Sequence, residues 1–292
     1  MEVATQMTVE TTVQPTVVDN PFPDGQVRVA LFGQPLDWRQ PSLERWRRIA
    51  AWIEMKRLPI STVLTPSPTR FNAEVCQPAE LADQAVVSDH LTLQVGHYAD
   101  GVMIPECHAM WLSTGDCPTI VAYQAGTKEL VAAHAGRDCL LEPEAVQTGT
   151  RSGNRNFSVV DSILGSIQGS PEGIAAKIYL GIAGQHFIHS PHDETYGKKN
   201  RRLLKFLNQH YGEEVIARQE TPVGALDLRK LIIAQFRRGR VCSVTHDDHD
   251  TYGDRLKNGQ PAWASHARWT KNGKQGPDSR NGLLIMRLPR KR

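Results

Sequence analysis

The stretch TGDCPTIVAYQAGTKELVAAHAGRD, residues 114–138, holds a single cysteine, Cys117, and a single histidine, His134. PTIVAY and ELVAAH are short apolar runs separated by QAGTK, which reads as a β-hairpin. If Ala125–Gly126 is a two-residue turn, Tyr123 faces Lys128 and Cys117 falls opposite His134. Directly opposed Cβ atoms lie roughly 4.5–5.5 Å apart. A thiol beside an imidazole has two uses. The imidazole lowers the thiol pKa and makes a thiolate nucleophile. Alternatively both groups bind zinc, with a third ligand from elsewhere and an open position for water. The flanks suit either use. Asp116 adjoins Cys117, the glycine after Ala135 lets a ligand approach the backbone, and Arg137 is placed to clamp an anion such as phosphate.

Other histidines are less promising. THDDHD (245–250) offers His246 and His249 among aspartates, but in a polar stretch that reads as a solvated loop. HFIHSPHDE (186–194) sets His186, His189 and His192 three apart, and Pro191 breaks any helix through them. Of these, His186 or His189 could line a pocket, because they follow the glycine-rich LGIAG. Cys107 and His108 are adjacent, so their side chains point to opposite faces of a strand and at most one joins the site.

Several elements must position these residues. QVRVALF (26–32) reads as a first strand. Ser42 is an N-cap for a helix over 42–56, with Leu43, Trp46, Ile49, Ala50 and Ile53 on one face. STVL, FNAEV, LTLQV, GVMI, AMWLS, PTIVAY and ELVAAH, all within 58–140, read as strands. Residues 157–168 read as a helix, 177–184 as a buried strand, and 199–211 and 226–238 as helices stopped by Gly212 and Gly239. VCSVTH and GLLIMRL (282–288) complete the set. Strands cluster early and helices late. The expectation is a single α+β domain over 26–288, with a mixed, largely antiparallel sheet flanked by helices. A flexible segment (1–25) precedes it and a basic tail (289–292) follows.

Composition narrows the function classes. The 292 residues are 40% apolar and 22% charged, with a net charge of +3. That is ordinary for a globular protein and too mild to indicate nucleic-acid binding. No apolar window is long enough for a membrane helix, and the N-terminus has no signal-peptide pattern. Five widely spaced cysteines in such a chain read as reduced thiols, so a cytoplasmic location is expected.

GDCPTIVAY…ELVAAHAG resembles the paired motifs of the laccase-domain family, also called polyphenol-oxidase-like or multicopper-polyphenol-oxidoreductase proteins. In that family a T-A-D-C-x-P-V strand is followed, seventeen residues after its Cys, by H-A-G-W-R-G, and Cys117 and His134 keep that interval. ADGVMI (99–104), LGIAG (180–184), LDLRKLIIAQFRRGRVCSV (226–244) and HARWTKNGKQGPDSRNGLLIMRL (266–288) are similar to further family segments in the same order. The resemblance implies a single α/β domain related to cytotoxic-necrotizing-factor-type deamidases, and one zinc held by His, Cys and His. It implies phosphorolysis of adenosine, inosine, guanosine or methylthioadenosine, and deamination of adenosine. The substrates would be a purine nucleoside and phosphate. Carried over, Cys117 and His134 are zinc ligands, Asp116 joins them as a catalytic group, and Arg137 and Arg268, the latter matching an arginine of the tail motif, bind phosphate or substrate.

Two positions depart from the family. The first zinc histidine falls near TPSPTRF (65–71), which has none, so the third ligand is His90, His97 or no protein group at all. HAG continues as RD, which puts Arg137 one place early. Copper clusters need His-x-His pairs, and none occurs. Two alternatives stay open. One is a metal-free Cys–His hydrolase or deamidase. The other is a non-catalytic member that binds a nucleotide or a partner protein.

Overall fold

The computed structural model describes residues 13–34, 36–39, 42–67, 73–149, 158–216 and 224–290. The elements in chain order are β1 (Val17–Asp19), β2 (Val27–Phe32), α1 (Leu43–Met55), β3 (Thr62–Leu64), β4 (Val75–Cys76), β5 (Asp83–Ser88), β6 (Leu91–Val95) and β7 (Gly101–Met103). They continue with β8 (His108–Thr114), β9 (Thr119–Gln124), β10 (Glu129–His134), α2 (Arg137–Leu140), α3 (Pro143–Thr148), α4 (Val159–Ser166) and β11 (Ile174–Tyr179). The last are α5 (Gly197–Tyr211), α6 (Leu228–Arg238), β12 (Ser243–His246), α7 (His266–Lys271) and β13 (Asn281–Arg287).

The strands form two mixed sheets. One has the order β1-β2-β13-β8-β3-β6-β5 and the other β12-β11-β9-β10-β7-β4. Val29, Leu31, Met110 and Ile285 of the first sheet meet Val121, Tyr123, Leu130 and Ala132 of the second in one buried cluster. The alternate residues face outward. Ile120, Ala122, Val131 and Ala133 pack against α4, α5 and α6. Ala30, Phe32, Ala109 and Trp111 pack against Trp46, Ile49 and Ile53 of α1. The domain is therefore four layers, α/β/β/α. Both faces of β9 and β10 are covered, which is why these strands read as continuous apolar runs rather than alternating ones.

The α+β class and layered single domain agree with expectation, but the strands divide between two sheets. Local pattern gives strands without partners. Residues 115–118 carry the chain from the first sheet to the second between β8 and β9.

Local rules explain the helix ends. The Ser42 hydroxyl accepts the Arg45 amide at 3.3 Å and caps α1. Asp227 caps α6 through the Lys230 amide at 3.1 Å. The lead-in is more structured than expected: β1 pairs with β2, and Phe22 is buried against Tyr123. β5 was not foreseen, because Asp83 to Val86 are exposed and carry no periodic apolar signal. Residues 71–72, 157 and 291–292, which fall in the expected FNAEV strand, the 157–168 helix and the basic tail, lie outside the described residues. Among the described residues no helix is long and apolar enough to cross a membrane.

Candidate active site

The hairpin forms, with its register moved along by two. Gln124 pairs with Glu129 and His134 with Thr119, so the loop is residues 125–128. The reason is local. Lys128 adopts positive φ (64°), its amide bonds the Gln124 carbonyl at 2.8 Å, and the Gln124 side chain caps the Gly126 amide. A move of two preserves the face. His134 is therefore diagonal to Cys117 rather than opposite it. The ladder continues through an Ala135 N–H to Pro118 carbonyl bond of 2.8 Å, which sets Gly136 against Cys117.

That placement brings thiol and imidazole together. A Cβ on Gly136 would lie 2.9 Å from His134 Cε1, 3.1 Å from Cys117 Sγ and 3.4 Å from His134 Nε2. The bare α-carbon leaves the room in which the two side chains converge.

Behind His134 sits a group that the sequence reading did not single out. Asp100 precedes β7, the strand paired with β10, and its carbonyl accepts the His134 amide at 2.7 Å. Its carboxylate is fully buried and stands 3.5 Å from His134 Nδ1. It accepts the Ala73 amide at 2.7 Å and the Cys139 thiol at 3.2 Å. Cys139 Sγ is also 3.5 Å from Nδ1. Burial alone would lower the imidazole pKa. The Cys117 charge and the bonds to Asp100, Cys117 and Cys139 outweigh it and hold the pKa well above 6.5. The Cys139 thiol is itself pushed up by burial. Asp100, His134 and Cys139 bring ligand atoms within 4.8 Å of one another, so this group can hold a metal ion. Asp100 was legible only as part of ADGVMI; its role needs the β7–β10 pairing.

Four expected site residues are not where chemistry needs them. His90 is excluded as a ligand. It lies in the β5–β6 turn, and Thr92 aligns through Thr62 with His108 at the start of β8. Cys117 follows the far end of that seven-residue strand, roughly 20 Å away at about 3.3 Å per residue. His97 turns to Glu74, 3.2 Å from Nε2, and joins the surface group Glu74–Glu80–His97. The position that the resemblance gives to the first zinc histidine, 65–71, lies partly outside the described residues. Asp116 is tied up structurally: one oxygen accepts the Thr251 hydroxyl at 2.7 Å and the other the Ala267 amide at 2.6 Å. It anchors α7 beside Cys117 rather than facing a ligand. Arg268 is likewise a strap. It donates to the carbonyls of Trp263 (3.1 Å), Thr251 (2.7 Å) and Tyr252, and burial lowers its pKa.

Arg137 does reach a cleft. Its guanidinium is held by Asp138 at 2.9 and 3.2 Å and by His189 Nε2 at 3.0 Å. The 245–250 segment is a brace rather than a solvated loop. Asp247 accepts the Leu180 amide at 3.0 Å and Asp250 the Ala183 amide at 3.0 Å. These bonds fix LGIAG, where Leu180 has φ 56° and Gly181 φ 107°.

Comparison with known proteins bears on the fold. The Neisseria meningitidis protein NMB0706, described as family DUF152, superposes with a TM-score of 0.58 at 16% identity, over 96% of this chain and 100% of its own. YlmD from Geobacillus stearothermophilus gives 0.61 at 16% identity, over 96% and 99%. The Bacillus licheniformis hypothetical protein YfiH gives 0.58 at 15% identity, over 90% and 93%. The chain shares their fold. DUF152 is the laccase-domain family, so the fold that the 114–138 motifs implied is the fold found. No family model and no curated protein matches the chain.

Proposed function

We propose that the protein is a zinc-dependent enzyme acting on purine nucleosides, by phosphorolysis of adenosine, inosine or guanosine and by deamination of adenosine. The observation that carries this reading is the convergence of Cys117 Sγ and the His134 imidazole over the bare α-carbon of Gly136, with Asp100 behind Nδ1. Thiolate and imidazole are zinc donors, and a carboxylate on the far nitrogen is the usual way a ligating histidine is oriented. Cys117 and His134 Nε2 would hold the ion. Asp100 and Cys139 back the ring: both are buried and already bonded to each other. Among the described residues no third His, Cys, Asp or Glu groups with Cys117 and His134. Bound there, zinc would supply Lewis-acid activation of water or phosphate.

The protein's own contributions follow from the contacts. Asp100 fixes the orientation and tautomer of His134. Asp116 holds the Thr251 hydroxyl and the Ala267 amide beside Cys117. Arg137, oriented by Asp138 and His189, offers a guanidinium to an anionic group such as phosphate.

The test is metal analysis of the purified chain, with phosphate-dependent release of hypoxanthine from inosine. The expected result is about one zinc per chain, lost in Cys117→Ala together with activity. Metal-loaded protein inert toward both inosine and adenosine overturns it.

One observation favours a second reading. Asp100, His134 and Cys117 stand in the order of a carboxylate–imidazole–nucleophile triad, which serves a metal-free hydrolase. Alkylation of Cys117 by iodoacetamide as a function of pH separates the two. A thiol with an apparent pKa near 8.5 in metal-free protein argues against the triad.

A further inference from the structure

A cleft of about 510 Å³ opens between α2–α3 and the first two turns of α5. Neither Cys117 nor His134 lines it. Four cationic side chains do: Arg137 from α2, and Lys198, Lys199 and Arg202 from α5. The one carboxylate on its wall, Asp138, is bonded to Arg137. Apolar side chains also line it from both sides: Leu141 and Val146 from the α2–α3 side and Leu203 from α5.

Three features of this cleft are poorly explained by folding alone. First, α5 carries Lys198 and Lys199 in its first turn, with no acidic residue there and no side-chain cap from Tyr196. Cations at the positive end of a helix oppose its dipole, whereas an anion bound among them is favoured by both. Second, Arg137 is held in place from two sides, by Asp138 and by His189, so its guanidinium is pre-oriented at the cleft. Third, His189 is only 7% exposed and stands behind Arg137, outside the cleft lining. Burial and the neighbouring Arg137 hold its pKa down to about 4, so the ring stays neutral and accepts the Arg137 hydrogen. A buried histidine is thus committed to aiming one arginine.

The volume indicates what the anion is attached to. It falls in the range of small-molecule sites and greatly exceeds an orthophosphate ion. The apolar side chains in the lining suit an organic group. A net charge of only +3 over the whole chain argues against a polyanionic partner.

We propose that this cleft binds a small phosphate monoester of nucleotide size, its phosphate held by Arg137, Lys198, Lys199 and Arg202 and its organic part against Leu141, Val146 and Leu203. The site needs neither metal nor turnover; it shares Arg137 with the phosphate role proposed above, and AMP binding to zinc-free protein tests it apart from that reading.

Calorimetric titration of the zinc-free full chain with AMP, adenosine and orthophosphate tests it, because zinc-loaded protein would also engage adenosine and phosphate at Cys117 and His134. The expected result is one AMP per chain, with adenosine and orthophosphate each at least tenfold weaker. Lys199→Glu should weaken AMP about tenfold, while Lys205→Glu, the same charge change on the same helix outside the cleft, should weaken it less than twofold. Both lysines are exposed, so both variants keep the fold. Adenosine binding as tightly as AMP overturns the proposal. So does orthophosphate binding as tightly as AMP, or equal losses in the two variants.

Discussion

Glu74, Glu80 and His97 bring three ligand atoms within 4.8 Å of one another, and so do Asp100, His134 and Cys139. The two groups are separated along the chain by only a few residues and share a carboxylate–histidine composition. Their surroundings differ. His97 and Glu74 are 30% and 44% exposed, while Asp100 is fully buried and His134 is 18% exposed. At the surface, water competes for each charge and the pair contributes about 0–1 kcal/mol. In the interior the Asp100 carboxylate has exchanged water for the Ala73 amide, the Cys139 thiol and the His134 ring, so each partner is fixed by the others. Composition alone would rank the two groups together. Burial, and the glycine that lets Cys117 in, separates them.

The contrast is broken most sharply at Gly136. Its φ of −69° suits any residue, so a substitution there tests space alone. Gly136→Val should lower zinc affinity at least 100-fold and Gly136→Ala roughly tenfold, read by competition with a chromophoric chelator. Unchanged affinity in Gly136→Val would place the metal elsewhere. Asp100→Asn removes the charge behind His134. It should cost about 1–3 kcal/mol in denaturant unfolding of the metal-free chain and 10–100-fold in metal affinity.

His189 and His134 supply a pH test. Arg137 and burial depress His189 from 6.5 to about 4, so the unfolded chain takes up its proton first as pH falls. The stability this residue contributes is complete above about pH 6.5 and is lost on acidification toward pH 4, by roughly 3 kcal/mol. His189→Gln should flatten that part of the stability–pH curve. His134 has the opposite sign: its raised pKa gives stability that is full below 6.5 and declines as pH rises through the folded value. The smallest effect belongs to the surface group. His97→Ala should change stability by less than about 1 kcal/mol and leave zinc stoichiometry untouched. Loss of zinc in that variant would reverse the ranking of the two groups.

Legibility followed the range of the interactions. α1, α5 and α6 were visible because a helix buries one stripe of its own residues and ends on local signals such as Ser42, Gly212 and Gly239. β9 and β10 were visible as apolar runs around a glycine-bearing loop. The hairpin register was misjudged by two because the loop chemistry at Gln124 and Lys128 decides it, and the thiol and imidazole stayed on one face only because the move was even. His90 was favoured by proximity in sequence, yet sheet order puts it at the opposite end of β8.

By itself, the sequence determined which segments are strands and helices, that Cys117 and His134 belong to one hairpin, and which known motifs that hairpin resembles. The tertiary structure decided that two sheets stack face to face, that Asp100 backs His134, that Asp116 and Arg268 brace the backbone, and that Arg137 meets the lysines of α5. The physical reason is the same throughout. Periodicity and turn chemistry act between residues close in the chain, whereas a buried polar contact depends on strands and helices that pair across tens or hundreds of residues, and no local pattern records which ones meet.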